Sequence, residues 1–198
     1  MPKPRKVVVK KERMVHAYTE LWHASRCVLE AGIEQPKGPS SQFLSSALLT
    51  AFAFEAYLNH VGARTIECWS QLDRLPPWSK FKLLCEILGV QFPEGPGARP
   101  LQTVAKLLAF RNTIAHGRSL EIKAKPEIRD ADDRLDAYLG IKLLTDWERL
   151  IQTSDFAERA REDVQAVLER LHGGRRDKKE ALFNFGIGLH GATLVEEP

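Results

Sequence analysis

The chain has 198 residues, of which 43% are hydrophobic and 28% charged, and a formal net charge of +3. That is enough for one domain with arms and a sizeable core, and it excludes disorder over the whole chain. So small a net charge does not imply a nucleic-acid partner from bulk electrostatics, although its distribution is uneven, and no apolar run approaches the ~18 residues needed to span a bilayer, so no membrane role is expected.

In chain order, the first segment, "MPKPRKVVVKKER", holds six Lys or Arg against one Glu. Its three valines are too few for a signal-peptide core, so residues 1–12 are expected to form a solvated basic arm. A first helix is expected from Arg13 to Ala31, stopping at Gly32, and "EQPKGPSS" reads as a loop. Ser40 or Ser41 then begins a long helix through "QFLSSALLTAFAFEAYLNHVGARTIECW", apolar on most of its circumference and therefore central. "LPPWSKFKLLCEILG" predicts a third helix opened by proline and closed by Gly89, and "LQTVAKLLAFRNTIAHG" a fourth closed by Gly117.

The second half is more charged. "SLEIKAKP" alternates weakly, as an extended excursion would. "TDWE" and "DFAE" both have the form of capping boxes, and the last strong helix is expected at Asp155 to Leu171. "HGGRRDKKE" reads as a flexible break before the tail "ALFNFGIGLHGATLVEEP", for which docking on the body and docking on a partner are both open. The expected core includes Leu48, Phe52, Leu84, Leu88, Leu108 and Val167. Cys27, Cys68 and Cys85 form no C-x-x-C pair, which argues against a disulfide framework or a zinc site and fits a reducing cytoplasm.

Two chemical constellations are set aside. Gly186, Gly188 and Gly191 have the spacing of a dinucleotide loop, but the short stretch after Gly191 cannot build the helix such a loop requires. His16, Glu20 and His23 share a helical face as metal ligands would, but no further carboxylate or His cluster supports them, so no metal or cofactor is expected.

The third constellation is "AFRNTIAHG". Leu101, Val104, Ala105, Leu108 and Ala115 form an apolar stripe, and Asn112 falls on it, a polar group in an expected buried seam. His116 lies one turn further on, and Arg111 flanks the seam with a side chain long enough to reach the same point. A guanidinium that grips two phosphate oxygens beside an imidazole that moves a proton suits a phosphodiester. Glu55 lies on an apolar face of the second helix with Leu44, Leu48, Ala51, Leu58 and Gly62, and a buried carboxylate wants a cation. Arg111 is the candidate, and a purely structural Glu–Arg pair with a capping His is the other reading.

"RNTIAHG" resembles the Arg-x4-His signature of the HEPN superfamily, and "AFAFEAYLN" resembles that family's earlier core helix with its embedded acidic residue. The resemblance covers Arg13 to Gly117 and Asp155 to Leu171 and implies an all-α, up-and-down helical bundle over residues 13–172, while the insertion at 119–154 and the flexible C-terminal tail at 173–198 lie outside the match. It implies a homodimer joined through the motif helices and, in catalytic members, metal-independent cleavage of RNA. Arg111 and His116 match the catalytic pair, Asn112 the adjacent polar position, and Glu55 the supporting acidic position. Other members bind RNA, nucleotides or proteins without catalysis, and some are toxins or defence proteins with a separately encoded antitoxin. A non-catalytic binding module is therefore the alternative.

Overall fold

The computed structural model describes residues 6–35, 38–128, 138–139, 141–177, 180–186 and 188–194. Its elements are β1 (Val7–Arg13), α1 (Ala17–Glu34), α2 (Ser40–Thr65), α3 (Trp69–Leu72), α4 (Pro77–Leu88), α5 (Leu101–Ala115), α6 (Asp146–Leu150), α7 (Asp155–Gly173) and β2 (Gly188–Leu194).

α2 is the axis. It buries residues on several sides, including Phe43, Ala47, Ala51, Phe54, Tyr57, Leu58 and Val61, and α1, α4, α5 and α7 pack around it. α1 runs antiparallel to it, with the Tyr18 and Tyr57 rings 5.2 Å apart at one end and Gly32 against Phe43 at the other. That contact explains why Gly32 does not stop α1, which continues to Glu34: a Cβ there would lie 2.8 Å from the Gln42 Cβ, so glycine serves close helix packing. α2 ends earlier than its sequence suggests, at Thr65, because the chain turns so that the Trp69 indole covers Gly62.

α4 has the punctuation expected of it. Proline opens it, and Gly89 closes it at φ +65° while the Val90 N–H donates to the Cys85 carbonyl. α5 and α7 also lie antiparallel, with Arg99 forked onto Asp163 at one end and Phe110 edge-on to Phe156 at the other. The capping box at Thr145 and Glu148 is complete, whereas "DFAE" forms none, since Ser154 precedes α7 in a helical conformation without a side-chain cap.

Several expectations are corrected. The basic arm is not a free tail over its described part: β1 pairs antiparallel with β2, Val7 opposite Leu194 and Arg13 opposite Gly188. The helical bundle is therefore accompanied by one two-stranded ribbon, and the domain is not purely α. The C-terminal segment is tied down too. Phe183 stacks on Trp22 at 4.7 Å, and the Asn184 carbonyl accepts hydrogen bonds from Thr19 Oγ1 and His16 Nδ1. Gly186, Gly188 and Gly191 thus belong to this segment and its strand, where Gly186 (φ +88°) lies against the Met14 carbonyl. "SLEIKAKP" forms no strand, and part of the insertion at 119–154 lies outside the described residues, as do residues 1–5 of the arm. Leu84, Leu108 and Val167 are buried, and Leu48 and Leu88 are partly so, but Phe52 is 39% exposed.

Candidate functional site

α2, α4 and α5 meet at Glu55. Its Oε1 lies 3.0 Å from Lys80 Nζ and its Oε2 2.8 Å from Arg111 Nη2. The sequence places Glu55 on the edge of the α2 core face, where it is 21% exposed, while Lys80 comes from the α4 stripe that also carries Phe81 and Leu84 and is 1% exposed. Arg111 stands at the edge of the buried α5 face formed by Leu101, Val104, Leu107, Leu108 and Phe110. Its Nη1 donates to Asn112 Oδ1 at 2.9 Å, and its guanidinium lies 5.5 Å over the exposed Phe52 ring.

The charge count is decisive. One carboxylate faces two cations, and the buried Lys80 has the stronger need of it because its ammonium cannot reach water. The cluster therefore carries a net positive charge, and the Arg111 guanidinium is the part that reaches the surface. Two of its five N–H groups are committed to Glu55 and Asn112. The remainder can meet an anion without the side chain first being ordered, an entropy cost that binding would otherwise carry.

Asn112 corrects an expectation. It is exposed, as are Ala105 and Ala115, whereas Leu101, Val104 and Leu108 of the same expected stripe are buried, so the seam does not extend to Asn112. The buried face is rotated toward Leu107 and Phe110. Ala105, Ala109, Asn112 and His116 make an exposed line, with small residues along its first half.

His116 caps α5, with its backbone N–H donating to the Asn112 carbonyl at 3.0 Å. Its ring is exposed, and among the described residues no hydrogen bond joins it to Arg111 or to the Asn112 side chain. The structure thus unites Glu55, Arg111 and Asn112 and holds His116 one turn further along the same open face. A cavity of about 920 Å³ lies elsewhere, around Arg64, Gly89 and Arg175, and one of about 490 Å³ borders the α5 face at Ala109 and Thr113, across from Leu120 and Trp147. An open face of this kind suits a polymer or a second protein surface better than a small molecule, which binds in concavities.

Sequence reasoning missed Lys80, although its position four residues before Leu84 on an apolar stripe was a usable signal. It also missed a second polar cluster, in which Glu180 faces His16, His60, Arg64 and Arg175. Burial, with help from Arg64, lowers His60 to about 4. Burial pushes the Glu180 carboxyl up, but Arg64, His60, His16 and Arg175 together hold it below the usual carboxylate range. The trio set aside as metal ligands is dispersed: His16 enters this cluster, Glu20 pairs with Arg13 and His23 meets Cys27. Among the described residues no group of three or more His, Cys, Asp or Glu is arranged to hold a metal ion, and no helix is long and apolar enough to cross a membrane.

No model of a known protein family, no curated protein and no solved structure matches the chain.

Proposed function

We propose that the chain is a metal-independent endoribonuclease of HEPN type, active as a homodimer in which the open α5 faces of two copies enclose one cleft. The observation that carries this reading is the surface-reaching guanidinium of Arg111, which shares its one carboxylate with the buried Lys80 and is fixed by Glu55 and Asn112 on the face that ends in His116. The small residues Ala105 and Ala109 permit close approach of a second helix, and the exposed Phe52 ring beside Arg111 gains by being covered.

In the cleft, two Arg111 side chains grip the non-bridging phosphate oxygens. One His116 accepts the proton of the ribose 2′-hydroxyl as its oxygen bonds to phosphorus. The other gives a proton to the departing 5′-oxygen as the P–O5′ bond breaks. The products are a 2′,3′-cyclic phosphate and a 5′-hydroxyl. One imidazole cannot hold both proton positions at once, which is why the second copy is required.

The separation of His116 from Arg111 within one copy favours a second reading, a non-catalytic module that binds RNA, a nucleotide or a protein through Arg111.

The deciding experiment incubates purified protein with mixed cellular RNA in EDTA. Wild-type protein should yield cyclic-phosphate ends and leave DNA, which lacks the 2′-hydroxyl, intact. His116→Ala should lose at least ~10²-fold in rate while still binding RNA, and Arg111→Ala should weaken both. Equal cleavage by wild type and His116→Ala would assign the activity to something else. Binding without cleavage by either protein would make the module reading correct.

A further inference from the structure

A small cavity of about 150 Å³ shares no residue with the Glu55–Arg111 cluster and lies on the side of α1 that faces α7 and the C-terminal segment. Thr19, Trp22, His23 and Arg26 of α1 line it at helical spacing, with Arg161 from α7 and Phe185 from the C-terminal segment. The Arg161 guanidinium lies 4.0 Å over the Trp22 ring, and its Nη1 donates to the Trp22 carbonyl at 3.0 Å and to the Ser25 hydroxyl. Those are neutral acceptors. Among the described residues no carboxylate pairs with Arg161, in contrast to Arg99, Arg111 and Arg170, which all have one.

The surroundings add positive charge. Arg26 also lines the cavity, and its own partner Glu30 is a loose, exposed pair at 3.7 Å, of the kind that contributes little. Burial, and then the charge of Arg26, pull Arg161 down to about 10 against the smaller opposing influence of Glu30 and Cys27. His23 stands at the rim with its Nε2 3.5 Å from Cys27 Sγ. Thr19 does not compete for a ligand, since its hydroxyl proton is committed to the Asn184 carbonyl.

We propose that this cavity is a binding site for a phosphate monoester dianion, gripped by Arg161 and Arg26. The reasoning is one of charge and size. A half-buried guanidinium held in place by packing and by neutral acceptors has its orientation settled and no carboxylate bonded to it, and its Nη2 and Nε groups remain to meet oxygen anions. A cavity of about 150 Å³ is of the order of one phosphoryl group and too small for the nucleoside attached to it. The recognised chemistry is therefore a terminal phosphate, free or carried on a larger body that projects past Phe185 into solvent. This site is independent of the proposed RNA cleavage.

The test is titration calorimetry on the full chain with inorganic phosphate, 5′-AMP and adenosine. Phosphate and 5′-AMP should bind and adenosine should not. Equal affinity for the first two would identify free phosphate as sufficient, and tighter binding of 5′-AMP would identify a carried phosphoryl group. Arg161→Met and Arg26→Gln should each weaken binding by at least about tenfold, the worth of a charge-assisted contact. Arg26 is exposed and its substitution leaves the core intact, so that variant decides the matter even if Arg161→Met fails to fold. No binding of phosphate or 5′-AMP at millimolar concentration, or affinity unchanged by Arg26→Gln in folded protein, overturns the proposal.

Discussion

Glu55→Ala removes the carboxylate that faces Lys80 at 3.0 Å and Arg111 at 2.8 Å. Arg111 can turn toward water, but Lys80, at 1% exposure, cannot. Removing one partner of a buried pair costs about 3 to 5 kcal/mol, and because water can enter beside the 21%-exposed Glu55 position the expected loss is about 3 kcal/mol. For a chain of this size that corresponds to a fall of roughly 6 to 12 °C in Tm, measurable by calorimetry. Adding Lys80→Met should restore most of the loss, since an apolar side chain of similar length needs no counter-ion. The double-mutant cycle would then give a coupling of at least about 1 kcal/mol. A loss under about 0.5 kcal/mol, or strictly additive effects, would refute the claim that Lys80 depends on Glu55, and with it the argument that Arg111 carries the surplus charge.

Acidification should weaken the fold before the usual carboxylate range is reached. His60 titrates near 4 in the folded protein against an ordinary value of 6.5, so the unfolded chain binds the extra proton between those values and stability falls as pH drops across that window. Glu180, held low, loses its contribution in the same direction as pH falls below 4.5. The His60 share is at most about 3 kcal/mol, and a His60→Gln variant should show a flatter dependence of Tm on pH between 7 and 4.5. A Gly62→Ala change would put a Cβ 2.3 Å from the Trp69 ring and should cost about 1 to 3 kcal/mol, read by urea denaturation, where a surface glycine such as Gly97 would cost little.

The helices were legible where local chemistry fixes them. Pro77 and Gly89 bracket α4, Thr145 and Glu148 cap α6, and the apolar girth of α2 marks it as central. The ribbon was not legible, because β1 and β2 are separated by almost the whole chain and neither alternates toward a core. Gly32 misled because a partner distant in the sequence, Phe43, set its role. At the site the Glu55–Arg111 pair was readable from charge on apolar faces. Lys80 was not read because an exposed lysine is the usual case. The face of α5 was misjudged by about one residue step, since alanine is compatible with either side of a helix and Ala105 and Ala115 drew the stripe outward.

The β1–β2 ribbon carries a consequence for folding order. Its register joins Val7 to Leu194, so pairing closes a loop that spans nearly every residue, while the β1 residues are all exposed and bury nothing in exchange. An isolated two-stranded ribbon is marginal in water, and closing so long a loop in an unfolded chain costs entropy that seven residue pairs outside the core cannot recover. Docking of Phe183 on Trp22 and of Asn184 on Thr19 must therefore bring the ends together first. The ribbon zips last and frays first, as a cooperative unit of its own that can open while the bundle stays folded.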